Sequence, residues 1–207
     1  MNKTTYTQPG RGILSIKLNT RNLIKIAMLA ATAFVLMLIS FPLAAFFPSF
    51  LELDISDVPA LVGGFALGPI AGVLIELLKN ILKVLIKPSP TGGVGELSNF
   101  LVGSFFVVPA SVIYMIRKSK KNAMLGLLAG SIFMTVSACF SNYFIIIPLY
   151  QQFMPLEQII ALSPLKIVKD MKSFILYAIV PFNLIKSIVV STVTLLIYKK
   201  LSPLLHS

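Results

Sequence analysis

Charged residues are scarce in this sequence, since Asp, Glu, Lys and Arg make up only 12% of its 207 residues. A soluble domain carries roughly 25%. Hydrophobic residues account for 57% of the chain, and the mean hydropathy is +0.91. A water-soluble fold lacks this apolar excess, so the composition predicts a polytopic membrane protein.

The residues on which metal and redox chemistry depend are also nearly missing. Cys139 is the only cysteine and His206 the only histidine, which excludes an intramolecular disulfide and leaves no histidine pair for zinc or acid–base catalysis. The sequence has no Gly-x-x-x-x-Gly-Lys-[Ser/Thr] phosphate loop. We therefore expect no enzyme, and any work driven by ATP must be done by another chain.

Acidic residues are the third shortage, with 7 Asp and Glu against 18 Lys and Arg, for a net charge of +11. Nucleic-acid binding needs basic residues on a wettable face beside aromatic platforms. Here the basic residues flank apolar runs instead. Since cytoplasmic loops of membrane proteins are enriched in Lys and Arg, we interpret the imbalance as topology.

The apolar runs predict an all-α integral membrane protein without an internal repeat. Between Val58 and Ile86 the hydrophobicity alone leaves one or two spans open, because Gly68-Pro69 divides it into short pieces. Six spans with both termini in the cytoplasm place eleven basic residues inside and six of the seven acids outside. The spans lie at about 23–41, 58–67, 69–86, 97–116, 124–147 and 174–198.

The same pattern gives the domain organisation. Residues 1–22 are expected to form a basic cytoplasmic tail, because they lack an apolar segment followed by a cleavage site. Residues 23–200 form a single membrane domain, and 201–207 form a short C-terminal tail.

Polar side chains inside the last spans need an explanation, since a charge at mid-span costs roughly 2.5–3.5 kcal/mol. Asn183 and Lys186 are three residues apart and share one helix face, which favours a common polar contact. Alternatively, Asn183 joins two helices and Lys186 extends towards the membrane surface. Asn142 offers both a donor and an acceptor, for a ligand or for another helix.

The third span carries a polar stripe of Glu76, Asn80, Lys83 and Lys87, with Lys79 three residues from Glu76. An internal ion pair would lower the cost of burial. Neutralisation within the protein and contact with a ligand both remain open for these side chains.

Two predicted outer loops also carry polar residues. The segment 50–59 alternates apolar and acidic residues, and Ser56 or Asp57 before Val58-Pro59 predicts a helix start, with Asp57 favoured as the N-cap, whereas Asp54 has no such structural role. The glycine-rich segment 89–96 predicts a flexible lid.

Small residues recur at four-residue spacing, which lets helices approach closely. The pairs are Ala27 and Ala31, with Ala30 beside them, Gly68 and Gly72, and Gly126 and Gly130. We expect the glycine pairs to pack within the protein.

Five segments in a fixed order carry a family resemblance over nearly the whole chain past residue 20. They are Leu53-Asp-Ile-Ser-Asp-Val-Pro59, Gly68-Pro-Ile-Ala-Gly72 running into Lys79-Asn80, Asn99-Phe-Leu-Val-Gly103, Asn142-Tyr-Phe and Pro181-Phe-Asn-Leu-Ile-Lys186. The sequence resembles the riboflavin-specific S components of energy-coupling factor (ECF) vitamin transporters, the RibU type.

The resemblance implies a substrate-binding subunit of the bacterial cell membrane that captures riboflavin from outside with high affinity. It implies partnership with a transmembrane coupling subunit and two ATPases, and a break between two helices near Gly68. Riboflavin is then the transported ligand rather than a resident cofactor, and Lys186 would tolerate the anionic FMN.

The resemblance also assigns residues. The implied substrate contacts are Leu53, Asp54, Lys79, Asn80, Glu96, Asn99, Asn142, Asn183 and Lys186. Glu52 is left out, because its loop position varies in residue type. The implied docking face for the coupling subunit is Ala27, Ala30 and Ala31.

Other functions remain as alternatives. An S component for thiamine, biotin, folate or pantothenate would differ in its ligand. A membrane-embedded enzyme would need paired acids or a buried histidine, and an assembly protein would not need Asn183 and Lys186 on one helix face.

Overall fold

The computed structural model describes residues 19–87, 89 and 92–206, with the backbone alone for 198–206. Most of the predicted tail 1–22 therefore lies outside the described residues, as do Ser207 and the side chain of His206. The described part is almost entirely helical. The helices are α1 Thr20–Leu38, α2 Asp57–Leu67, α3 Pro69–Ile86, α4 Val94–Ile116, α5 Lys120–Ser141, α6 Ile147–Tyr150, α7 Leu156–Ala161, α8 Met171–Phe174 and α9 Val180–His206.

Four helical stretches are long and apolar enough to cross a membrane. They are Thr20–Leu38, Val94–Ile116, Lys120–Tyr150 and Met171–Ile197. Large apolar side chains cover their outer faces, among them Met28, Phe105, Leu128 and Ile188. The chain is therefore an all-α membrane protein, apart from a short β-ladder described below.

The chain breaks between α2 and α3 at Gly68, whose φ of +107° favours glycine because it has no Cβ. Pro69 then occupies the start of α3, where a missing N–H leaves no hydrogen bond unmade. The break leaves α2 with 11 residues and places its N-terminus inside the protein, where Asp57 is buried.

Glycines bring α4 and α5 into close contact. A Cβ on Gly126 would lie 2.5 Å from the carbonyl oxygen of Ala110, and one on Gly130 would lie 2.6 Å from that of Phe106. A larger residue would force the helices apart. The expected packing role of this glycine pair within the protein is thus confirmed.

The connection between α1 and α2, residues 39–56, folds back over the bundle and is called the cover loop below. It contains the short strands β1 Phe41–Pro42 and β2 Glu52–Leu53, which pair antiparallel and were not expected in an all-α chain. Phe47 packs edge-on against Phe182 of α9, with ring centroids 5.5 Å apart. The ring of Phe50 lies 5.4 Å from that of Tyr150.

Two π-helical turns, Asn142–Ile146 and Ile175–Ile179, interrupt the last two long helical stretches. In each turn a backbone N–H donates to the carbonyl five residues back, from Ile147 to Asn142 and from Val180 to Ile175. A proline follows each turn, and proline has no N–H to continue the α-helical pattern. Such wide turns are frequent at functional sites. Here Asn142 begins the first turn, and Asn183 lies four residues after the second.

Candidate ligand-binding site

A cavity of about 80 Å³ lies beneath the cover loop, at the ends of α4, α5 and α9. Its walls mix aromatic and aliphatic side chains with a few polar groups, as in typical small-molecule sites. The lining residues are Phe50, Leu51, Glu52, Asp57, Gly95, Ser98, Asn99, Val102, Gly103, Met134, Asn142, Ile146, Tyr150, Phe182, Asn183 and Lys186.

Asn142 and Asn183 present their amides to this cavity in a fixed orientation. The Nδ2 of Asn142 donates to the carbonyl of Ala138, and the Nδ2 of Asn183 donates to that of Ile179, each at 2.8 Å. A backbone carbonyl only accepts, so the amide nitrogen must point at it. The opposite amide oxygen and the second N–H of each residue are then available to a ligand.

Asn99 reaches the cavity from α4, with Asn80 behind it. Asn80 donates to the carbonyl of Glu76 at 2.8 Å and to Oδ1 of Asn99 at 3.3 Å. Because the oxygen of Asn99 accepts this bond, its amide nitrogen is left as a donor. Asn80 therefore orients Asn99 and does not itself line the cavity.

Lys186 is buried in the cavity wall with an exposed fraction of 4%. Its Nζ lies 2.9 Å from Oδ2 of Asp54 and 3.8 Å from Oδ2 of Asp57. Burial alone raises the pKa of Asp54, but the positive charges of Lys186 and Lys79 and a hydrogen bond from Ser56 outweigh it. Together they lower that pKa from 3.8 to about 2.

Lys79 is fully buried below the cavity, and acceptors surround its ammonium group. The group donates to Oγ of Ser56 at 2.9 Å and to Oδ1 of Asp57, and it lies 2.8 Å from Oε2 of Glu76. Two hydrogen bonds and one further ion pair therefore surround the three donors of this ammonium group. The predicted Glu76–Lys79 ion pair is confirmed. Neutralisation by these acidic partners within the protein explains how the charge of Lys79 can be buried.

Gly103 makes room for Glu76. A Cβ at Gly103 would lie 2.6 Å from Oε2 of Glu76, closer than side-chain atoms pack. The glycine in the α4 motif therefore lets a buried carboxylate from α3 approach the α4 backbone beside the cavity.

Asp57 does not cap helix α2, contrary to the sequence prediction. The N-cap is Ser56, without a side-chain capping bond, and Asp57 is the first residue of the helix. Its Oδ1 binds Lys79, whereas its Oδ2 has no hydrogen-bond partner among the described residues. Lys186 lies 3.8 Å from this oxygen, too far for a hydrogen bond, so the buried acceptor is suited to a ligand donor.

The structure separates the predicted contacts into two groups. Asn99, Asn142, Asn183 and Lys186 line the cavity, whereas Leu53, Asp54, Lys79, Asn80 and Glu96 lie around it and support it. Leu53 packs beside Phe47 and Phe182.

Sequence reasoning missed Asp57 as a lining residue and left Glu52 aside. The only signal that could have included them is the acidic alternation of 50–59, since nothing in the sequence says which of its acids turn inward.

The alanines of α1 divide between two faces. Ala27 and Ala31 are exposed on the outer side, one helical turn apart, together with Met28 and Val35. Ala30 is buried in the core with an exposed fraction of 2%. Only the outer pair is therefore free to contact another protein.

A small cavity with polar walls inside an apolar helical bundle, covered by a loop, defines a membrane protein that binds a small ligand. The sequence profile of the family described as "ECF transporter, substrate-specific component" matches residues 21–198. The chain belongs to this family.

Individual proteins similar to this chain support the same family. "Riboflavin transporter RibU" of Staphylococcus aureus is 41% identical over 193 residues, which cover 93% of this chain and 96% of the relative. "Riboflavin transporter FmnP" of Bacillus subtilis is 36% identical, over 90% of this chain and 94% of the relative. A solved structure described as the S component of a bacterial ECF transporter superposes with a TM-score of 0.72 at 38% identity. It covers 90% of this chain and 98% of that chain.

Proposed function

We propose that this chain binds riboflavin from the outer side of the membrane and takes it up as the substrate-specific component of an ECF importer. Riboflavin has an apolar dimethylbenzene end, a polar ring edge with alternating donors and acceptors, and a ribityl chain of hydroxyls. The amides of Asn142 and Asn183 suit the ring edge, and Phe182 suits an aromatic face. Both relatives named above are riboflavin transporters, which supports this ligand.

The observation that carries the proposal is the convergence of three amides on one cavity from three helices, with Asn99 on α4, Asn142 after α5 and Asn183 on α9. Sites for drug-sized ligands enclose roughly 300–1,000 Å³, more than the present cavity of about 80 Å³. The ligand therefore enters by moving the cover loop, which closes the cavity on the outer side.

The membrane arrangement belongs to the same proposal. Six crossings, formed by α1, α2, α3, α4, the stretch Lys120–Tyr150 and the stretch Met171–Ile197, would place both termini in the cytoplasm of a bacterial cell. Four exposed basic residues at the turn between α4 and α5 support this orientation: Arg117, Lys118, Lys120 and Lys121. Riboflavin is the cargo, and we propose no resident cofactor.

Isothermal titration of the purified, ligand-free protein with riboflavin tests the proposal. We expect one site per chain with submicromolar affinity and, in preparations that retain ligand, flavin absorbance near 450 nm. Thiamine, biotin, folate and pantothenate are titrated in parallel. Saturable binding of one of these without riboflavin binding would overturn the assignment of the ligand but keep the family.

The docking face is tested separately. We propose that the exposed pair Ala27 and Ala31 contacts the transmembrane coupling subunit of a module with two ATPases. Ala31→Trp is expected to abolish co-purification with that subunit and to leave riboflavin binding intact. Leu128→Trp is the matched control, because Leu128 is exposed on the lipid side of α5. Normal assembly of Ala31→Trp would contradict the docking proposal.

A further inference from the structure

Lys83 lies near the outer end of α3, between the cover loop and the start of α4. Its Nζ is 3.6 Å from Oε2 of Glu52 and 3.7 Å from Oε1 of Glu96. The side chain has an exposed fraction of 14%, so solvent reaches it only partly. One ammonium group thus stands between two carboxylates.

The two carboxylates belong to different parts of the chain, the cover loop and the start of α4. Glu52 lies in strand β2 of the cover loop, where its Oε2 also accepts a hydrogen bond of 2.5 Å from Ser40. Glu96 lies in the first turn of α4 and accepts a bond of 2.7 Å from Ser89, which in turn accepts one from the backbone of Gly93. Lys83 therefore joins the cover loop to the first turn of α4.

This junction differs in position from the other contacts of the cover loop. Elsewhere Tyr150, Phe182 and Lys186 contact the loop through Phe50, Phe47 and Asp54, and because all three line the cavity, an entering ligand must rearrange them. Lys83 does not line the cavity in the described part of the chain. Glu96 does not line it either, so this ion pair can stay formed around a bound ligand, and Lys83 stays in place beside Glu52, which does line the cavity.

We infer that Lys83 is a positioning residue, which fastens the cover loop to the first turn of α4 and sets how fast the ligand leaves. This inference rests on the proposed function. Without the ammonium group, Glu52 and Glu96 face each other as like charges, which favours separation of the cover loop from the start of α4. Closure around the ligand then depends on the contacts inside the cavity alone.

Stopped-flow measurement of riboflavin fluorescence with Lys83→Met tests the inference. A partly exposed ion pair is worth little, so we expect dissociation about three- to tenfold faster, with faster association and a smaller change in Kd. Lys83→Arg should restore the wild-type rates. Lys87→Met is the matched control, since Lys87 is exposed one turn further along and forms no ion pair among the described residues.

Two further measurements separate fastening from a general structural defect. Raising the salt concentration should accelerate dissociation from the wild type and slow it in Lys83→Met, because salt screens the attraction to Lys83 in the first and the repulsion between Glu52 and Glu96 in the second. Glu96→Gln should accelerate dissociation, and Lys83→Met should add little to it in the double variant. If Lys83→Met fails to fold, Glu96→Gln and the salt dependence of the wild type carry the test.

Unchanged dissociation rates in Lys83→Met and Glu96→Gln, with the wild type binding riboflavin, would overturn the inference alone. A wild type that binds no riboflavin would instead overturn the proposed function.

Discussion

The Nζ of Lys186 lies 2.9 Å from Oδ2 of Asp54, which joins two residues 132 positions apart in the sequence. Asp54 belongs to the cover loop and Lys186 to helix α9. Both side chains were expected to contact the ligand independently. The pair instead fixes the cover loop to the helix that carries Asn183, so the shape of the cavity and the position of its cover depend on the same contact.

The first prediction concerns this pair in the ligand-free protein. Lys186→Met leaves Asp54 buried without its main partner and is expected to lower the free energy of unfolding by about 3–5 kcal/mol. The double variant Lys186→Met/Asp54→Asn removes both charges and should recover part of that loss. Thermal unfolding in detergent measures both. If the double variant is no more stable than Lys186→Met, the two charges are not coupled.

The second prediction is a loss of stability in acid. Because the folded protein holds the pKa of Asp54 at about 2, against 3.8 ordinarily, the ionised carboxylate stabilises the fold above about pH 4. This contribution is lost as the pH falls from about 4 to about 2. Thermal unfolding across that range should show a smaller acid-induced decrease for Asp54→Asn than for the wild type. Glu157→Gln, at an exposed carboxylate, should keep the wild-type profile.

The third prediction tests the amide geometry. Asn183→Ala removes an amide that its own helix orients towards the cavity, so we expect the Kd for riboflavin to rise about 10- to 100-fold, the range of one or two buried hydrogen bonds. Asn122→Ala is the control, because Asn122 donates to the carbonyl of Ile113 and does not line the cavity. Equal affinities of wild type and Asn183→Ala would remove Asn183 from the site.

The fourth prediction concerns FMN. The ion pairs in and around the cavity hold five carboxylates against three ammonium groups, namely Glu52, Asp54, Asp57, Glu76 and Glu96 against Lys79, Lys83 and Lys186. A phosphate group therefore meets net negative charge, and we expect FMN to bind at least about tenfold more weakly than riboflavin. Competition titration at neutral pH gives the ratio, and Glu52→Gln should reduce it. Equal affinity for both flavins would contradict this account of the charge.

The sequence predicted the class of the protein and several of its contacts for clear physical reasons. Long apolar runs can only be satisfied in a membrane, and Glu76 and Lys79 are one helical turn apart, so their ion pair follows from helix geometry. Asn183 and Lys186 reach the same cavity for the same reason. The order of five short segments indicated the family, which the family profile confirms.

The cover loop was less predictable, because its conformation depends on distant residues. The alternation at 50–59 gave four acidic or polar candidates but no direction for each. Only the position of α3 and α9 decides that Asp57 pairs with Lys79 rather than capping its helix. The two-residue strands are too short for a sequence pattern to indicate them.

What the sequence by itself determined is local: the apolar spans, the shared helix faces and the family motifs, whose resemblance implied the break near Gly68. What only the tertiary structure decided is which charges meet. Charged residues that are far apart in the sequence come together only when the chain folds. Lys186 then pairs with Asp54, and Lys83 lies between Glu52 and Glu96. These ion pairs matter for the fold because a buried charge in a membrane protein is stable only beside a partner.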